Sequence, residues 1–273
     1  MRIILLGLSC LSVIFIIGCG GSAVIIDSPE ITMVVMHETS VTVTWEADTS
    51  IENHGDFQGY NVYVSTDSSE LLVESAEDLN KINPGTIEDN TYEITDLSQD
   101  SKYYIQTRTV NIDNKVGDYN DSVPFVKASP RPEFTVTLKF ATIQPGVDDS
   151  CAIRFFDATI MADSAMTSGG ADMFVFLWGS SPDDSVSFNS PVHGGGDRNT
   201  GFDNLGPYGF DDIYRITPGP MIQDYVVIST GDLVIAKTQD YYYAKIHVDT
   251  IDTVNFAVTI TYAYQNIIDF PYF

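Results

Sequence analysis

Cations are scarce in this chain: 13 Lys and Arg stand against 38 Asp and Glu, a formal net charge of −25 over 273 residues. Phosphate recognition needs cationic side chains to replace counterions, so such a surface excludes nucleic acid and anionic headgroups as partners. The acidity favours solubility and is suited to basic partners or Ca²⁺. Cysteine is almost missing, with 3 residues at positions 10, 19 and 151. The first two fall in or at the end of an apolar leader, so Cys151 stands alone and no intramolecular disulfide is expected. In Cys151-Ala152-Ile153-Arg154-Phe155 the thiol alternates with strand-like neighbours, which reads as a small buried hydrophobe rather than a nucleophile. No Cys/His pair has the spacing of a zinc site. In 133–273 no segment carries an apolar helical stripe over three turns.

What is present is core material. Hydrophobic residues make up 44% of the chain and aromatics 12%, which excludes a disordered polypeptide. The length suits two ordinary domains or one large β domain. At the N-terminus Met1-Arg2 forms a short positive region, followed by an apolar run over 3–17. That run is shorter than the roughly 20 residues of a membrane span and has the length of a signal-peptide core. It ends in Ile16-Ile17-Gly18-Cys19, which resembles the lipobox of bacterial lipoproteins. The resemblance implies cleavage after residue 18, lipidation of Cys19, and anchoring to the lipid bilayer by acyl chains at about 0.8 kcal/mol per buried CH₂. Gly20-Gly21-Ser22 then reads as a flexible tether. No Asp follows Cys19, so outer-membrane or cell-surface placement in the envelope is expected. On this reading 1–18 is the signal peptide and 19–27 the lipidated cysteine and its tether.

Residues 28–129 show strand signals separated by turn residues, the all-β pattern. The runs are 31–36, 41–45, 60–64, 90–95, 103–111 and 122–128, with a short edge strand expected at 71–74. In Val41-Thr42-Val43-Thr44-Trp45 the alternation puts Val41, Val43 and Trp45 on one face. Trp45 in the second strand, Tyr60-x-Val62 in the third, and Leu97 six residues before Tyr103 together resemble a fibronectin type III domain. In that family the Leu plugs the base of the core, and the Tyr makes a tyrosine corner by bonding its hydroxyl back to the loop backbone. The usual Pro between them is replaced here by Gln99. The resemblance implies a spacer, docking or adhesive module. No Arg-Gly-Asp tripeptide supports integrin-type adhesion, and the polar tip 111–121 lacks the spacing of a calcium loop.

Ser129-Pro130-Arg131-Pro132 introduces a two-proline linker at 130–132. Beyond it, 133–273 is again strand-like, at 134–141, 151–160, 173–178, 212–216, 225–229, 233–237, 242–248 and 254–264. Gln239-Asp240 is a hairpin-turn candidate. Rich in Gly, Pro, Asn, Ser and Asp, 179–220 reads as one long loop, and a loop of that length in a compact domain is usually functional. The expected fold class is therefore all-β: an N-terminal type III (Ig-like) β-sandwich, then a second antiparallel β-sandwich-like domain. Phe156-Asp157, Ala171-Asp172, the run 231–238, Tyr243-Ala244-Lys245-Ile246-His247-Val248 and Tyr262-Ala263-Tyr264-Gln265 are similar to the all-β HmuY-type haem-binding lipoproteins. That family grips haem iron with two histidines, and this domain offers His193 and His247.

Catalytic constellations are thin. His193-Gly194-Gly195-Gly196 has the form of the oxyanion loop of lipases and esterases, but no G-x-S-x-G elbow accompanies it. Asp183-Asp184 and Asp211-Asp212 are the acid pairs that glycoside hydrolysis would require. Asp197, Asn199, Asp203 and Asn204 form the best oxygen cluster for Ca²⁺. The sequence thus reads as a non-catalytic, lipid-anchored envelope protein that binds or scaffolds an extracytoplasmic protein or glycan, with 179–220 as contact surface. The alternatives are an accessory part of an extracellular hydrolase, and a capture protein for haem or Ca²⁺.

Overall fold

The computed structural model describes residues 27–46, 49–73, 76, 79–141, 150–165, 167, 169–178, 185–217, 221 and 223–273. Cys10, the lipobox with Cys19, Glu74 and the pair Asp183-Asp184 lie outside them. No helix among the described residues is long and apolar enough to cross a membrane.

The first part of the chain supplies β1 (Glu30–Met36), β2 (Val41–Glu46), β3 (Phe57–Ser65), β4 (Thr91–Ile94), β5 (Tyr103–Asn111) and β6 (Val126–Ala128). They pair into two antiparallel sheets, β1-β2-β4 and β3-β5-β6. Because strand side chains alternate between faces, Val41, Val43 and Trp45 all enter the space between the sheets, where Tyr60 and Val62 meet them from β3. The Trp45 indole stands edge-on to the Tyr60 ring, with centroids 5.2 Å apart. Gly59 makes a bulge in β3 at φ +149°, and a Cβ there would lie 2.4 Å from the Ile87 carbonyl oxygen. Glycine at this position lets 81–87 run beside β3 through isolated bridges at Tyr60–Ile87 and Tyr63–Lys81.

Two sequence expectations change here. Leu71 is not in an edge strand. Asp67 accepts the Ser69 N–H at 2.9 Å and caps a one-turn helix, Ser68–Leu71, that buries Leu71. This capping preference overrides the strand signal of the residues that follow. The last strand is also shorter than 122–128, because Asn120 Oδ1 accepts the N–H groups of Ser122 and Val123 in a turn.

The second part supplies β7 (Glu133–Lys139), β8 (Ala152–Arg154), β9 (Thr159–Met161), β10 (Met173–Trp178), β11 (Ser185–Asn189), β12 (Thr200–Pro207), β13 (Tyr225–Val227), β14 (Asp232–Thr238), β15 (Tyr243–Asp252) and β16 (Ala257–Gln265). They form two five-stranded sheets, β13-β11-β10-β8-β9 and β12-β14-β15-β16-β7. Between the sheets lie Phe140, Val175, Phe188, Val234, Ile246 and Ile260. The protein is thus all-β, two sandwiches in succession. Thr238 and Tyr242 close the β14–β15 turn around Gln239-Asp240, with the Thr238 N–H donating to the Tyr242 carbonyl at 2.9 Å.

The reading of 179–220 as one loop is overturned. Its described part holds β11, a 3₁₀ turn at Pro191–Gly194, and β12. Polar composition concealed the period: in Ser185-Val186-Ser187-Phe188-Asn189, Val186 and Phe188 face the core while Ser and Asn occupy the other face. In β12, Gly201 admits the Met221 backbone, whose carbonyl oxygen would sit 2.1 Å from a Cβ. The expected strand 212–216 is instead an irregular segment with one bridge, Arg215–Tyr272. The run 151–160 is broken by a 3₁₀ turn at Phe155–Asp157, after which Ala158 adopts φ +55°.

Ser129, Pro130 and Arg131 are buried and Pro132 is half-buried. Arg131 donates its N–H to the His37 carbonyl at 3.1 Å and its guanidinium to the Met36 carbonyl and to Glu133. The Phe210 ring lies between two buried cations, with the Arg131 guanidinium 5.7 Å and the Lys245 ammonium 4.5 Å from its centroid. Tyr214 and Tyr272 pack against the core of the first sandwich. The two sandwiches therefore share a desolvated junction.

Candidate functional site

The outer face of the β13-β11-β10-β8-β9 sheet carries an unusual row of rings. In β10, Met173, Val175 and Leu177 enter the core, so Phe174, Phe176 and Trp178 project outward. Each ring meets the next: Phe174 and Phe176 centroids are 6.4 Å apart, Phe176 and Trp178 5.1 Å. β11 contributes outward Ser187 and Asn189, and β13 contributes outward Tyr225, paired with Asn189. The 3₁₀ turn Pro191–Gly194 brings His193 over this layer. Its ring lies 5.6 Å from Trp178 and 5.1 Å from Tyr225, and Trp178 and Tyr225 are 5.9 Å apart. Trp178 and Tyr225 remain 41% and 42% exposed, although solvent normally selects against large rings clustered at a surface.

The rings are held in place. Trp178 Nε1–H donates to Ser187 Oγ at 2.8 Å, and Asn189 Nδ2 donates to the same oxygen at 2.7 Å. Asn189 Oδ1, fully buried in this layer, finds no hydrogen-bond partner among the described residues. His193 Nδ1 lies 3.2 Å from the exposed Asp224 carboxylate. Two hollows flank the ring group. One of about 290 Å³ lies against Phe174, Phe176, Trp178 and His193, with Asp163 at its edge. The other, of about 410 Å³, lies against Tyr225, Asp224 and Gln223.

A second concavity of about 440 Å³ joins the two sandwiches, with Asp100 from the first and Phe156, Asp172, Arg198, Asp240, Tyr242 and Tyr264 from the second. Arg198 spans it, 2.6 Å from Asp172 through Nε and 2.6 Å from Asp240 through Nη2. Burial pushes the Asp172 carboxyl up from its ordinary range, against the pull of Arg198. Asp172 and Asp240 consume the Arg198 charge, and Arg154, which also lines the cleft, is paired with Asp157 at 2.5 Å, so both cations of the cleft are already engaged by carboxylates.

The residues singled out in the sequence fall in several places. Trp45, Tyr60 and Val62 are fully buried, and Leu97 packs beside them. The Tyr103 hydroxyl accepts the Ser98 N–H at 3.0 Å, so the loop after Leu97 is tied to β5. Cys151 is fully buried among Ala141, Ala152, Ala171 and Phe174. The oxygen set is not gathered: Asp203 and Asn204 are successive in β12 and project to opposite faces. The Asn204 amide is occupied by the Val227 carbonyl and Asp232, and Asn199 Oδ1 sits 3.4 Å from Ser190 Oγ. Asp197 is exposed. Among the described residues no group of three or more His, Cys, Asp or Glu is placed to hold a metal ion.

His193 and His247 do not converge. His193 sits on the outer face of one sheet. His247 points outward from β15 in the other, because Ile246 and Val248 beside it enter the core. Its Nδ1 lies 2.7 Å from Asp249. Gly195 and Gly196 spend their N–H groups on the carbonyls of Val192 and Pro191, leaving neither aimed at an oxyanion. Asp212 accepts the Gly209 N–H at 2.7 Å in a turn, next to Asp211.

Sequence reasoning missed the ring face. The signal present was the period-2 row Phe174-x-Phe176-x-Trp178, a strand apolar on both sides. Tyr225 and His193 come from distant positions, and only the strand order brings them there.

By architecture this is an all-β protein of two packed sandwiches, the first with the β1-β2-β4 and β3-β5-β6 arrangement of Ig-like modules. Residues 27–125 match the model of the fibronectin type III domain, and this part of the chain is such a domain. No curated protein matches the chain.

Proposed function

We propose that this protein is a non-catalytic binding and scaffold module of the cell envelope, anchored through lipidated Cys19, with the second sandwich presenting a contact surface for an extracytoplasmic protein or glycan. The observation that carries the reading is the exposed ring group Trp178–His193–Tyr225, fixed from below by Ser187 and, among the described residues, lined by none from the type III domain. Large rings kept at a surface and locked by hydrogen bonds are suited to recognition, since little freedom is lost when a partner covers them. The type III domain suits the role of spacer, and the buried Ser129 and Arg131 at the junction favour a fixed rather than a flexible connection to the second sandwich.

Two measurements test it. Palmitate labelling and membrane fractionation of the full chain should both be lost in Cys19→Ala; label retained in that variant overturns the anchor. The full chain should be retained on native envelope material, and Trp178→Ala combined with Tyr225→Ala should abolish retention. Equal retention of the double variant removes the ring face from the function.

A further inference from the structure

We infer that the ring face is a subsite pair for a neutral oligosaccharide, a chain of pyranose units crossing the Trp178–His193–Tyr225 group from one hollow to the other. This rests on the binding reading above and names its ligand class.

Four features converge on it. A pyranose has an apolar C–H face and a rim of hydroxyl groups. Aromatic faces carry the negative end of the ring quadrupole and attract polarised C–H bonds, and here Trp178 and Tyr225 both keep ring surface open. The rim needs acceptors and donors beside the rings, supplied by Asp224 and Gln223 on one side and Asp163 on the other. The hollows, about 290 and 410 Å³, are each at the small end of small-ligand sites. Their position on both sides of one ring group suits a ligand of repeating units better than a single compact molecule. A stable protein interface, by contrast, needs roughly 1,200–2,000 Å² of buried surface, and the rings here are tilted by 40–68° to one another rather than forming one flat apolar patch.

Charge settles which sugars fit. Among the described residues, neither hollow is lined by Lys or Arg, while Asp163 and Asp224 stand at the two ends. The whole chain carries −25. An acidic polysaccharide would meet like charge and find no cation to pair with; a neutral one meets acceptors for its hydroxyl protons.

The chain reports on this site by itself. Its 2 tryptophans are Trp45, fully buried, and Trp178, 41% exposed, so collisional quenching by acrylamide falls on Trp178. The full chain is titrated with maltohexaose, cellohexaose and chitohexaose, with glucose, and with a galacturonic acid hexamer. At least one neutral hexasaccharide should protect Trp178 from acrylamide saturably, at least tenfold more tightly than glucose, and the acidic hexamer should not. By calorimetry, Tyr225→Ala and Asp224→Asn should each weaken that binding tenfold or more. Phe156→Ala, in the separate cleft, should leave it within twofold. Both variants of the face change exposed side chains, so the test does not hang on the folding of Trp178→Ala. Absence of binding by all three neutral hexasaccharides, or binding unchanged in Tyr225→Ala and Asp224→Asn, overturns the proposal. Retention on envelope material whose sugars have been destroyed by periodate makes protein the occupant; the glycan assignment then falls while the binding reading stands. Loss of retention on untreated envelope removes both.

Discussion

The two sandwiches use tryptophan in opposite ways. In the first, Trp45 lies between the sheets, fully buried against Tyr60. In the second, Trp178 stands on the outside of a sheet, beside His193 and Tyr225. The same residue type at the end of a strand is structural in one case and presented in the other. What decides is the phase of the alternation: Trp45 shares parity with Val41 and Val43, whereas Trp178 shares parity with Phe174 and Phe176 and opposes the core residues Met173, Val175 and Leu177. A ring in phase with the core stabilises the fold; a ring out of phase must be held by something else, and here Ser187 does it.

The sharpest way to break this contrast is to truncate both. Trp45→Ala should destabilise the protein by about 3–5 kcal/mol, the range for large-to-small changes at buried aromatics. Trp178→Ala should cost about 1 kcal/mol or less, the worth of one lost hydrogen bond at a half-exposed site. Urea unfolding of the two variants measures both, and similar losses would mean that the outer rings are structural after all.

The next effect lies at the junction. Burial, with Arg131 close by, lowers the Lys245 ammonium to about 7. The unfolded chain, with an ordinary lysine near 10.4, therefore binds more protons than the folded chain between those values. Stability should accordingly rise with pH from about 7 towards 10.4 and be lowest below 7. Lys245→Met keeps the stem, removes the buried charge, and should raise stability at pH 6 by about 1–4 kcal/mol. It should also flatten the alkaline rise. Melting curves between pH 6 and 10 decide it; a variant less stable at pH 6 would show that the ammonium, bonded to the Ile213 carbonyl, holds the junction together.

These effects mark how far the sequence could be read. The first sandwich was legible because its motif residues sit where alternation and turn chemistry agree: Trp45, Tyr60, Val62 and Tyr103 all lie in strands, Tyr60 and Val62 in the regular stretch that follows the Gly59 bulge. The second was legible as all-β but not in its details. Ser185-Val186-Ser187-Phe188-Asn189 hid as loop because its outward residues are small and polar, being roofed by the rings of neighbouring strands. The ring face itself needs three segments, at 173–178, 191–194 and 225–227, joined only by sheet order. No local pattern encodes that order. The junction was missed for a similar reason: Ser129-Pro130-Arg131-Pro132 has linker composition, yet Phe210 and Tyr272 from distant segments cover it.

The smallest effect compares a single oxygen atom in the two regions. The Tyr103 hydroxyl accepts the Ser98 N–H at 3.0 Å and ties the loop carrying Leu97 to β5, so Tyr103→Phe removes that tie, hands the exposed N–H to water, and should cost at most about 1 kcal/mol. Tyr225 stands 42% exposed at the rim of the ring group, where water supplies its hydroxyl in the folded and unfolded states alike. Tyr225→Phe should leave the unfolding midpoint unchanged and retain the stacking surface, and so weaken saccharide binding less than Tyr225→Ala does. Urea titration of the two phenylalanine variants separates an oxygen that braces a fold from one that sits on a binding face. If Tyr225→Phe instead lowered the midpoint as much as Tyr103→Phe, the outer rings would belong to the framework, and the face they form would no longer be distinguished from the core.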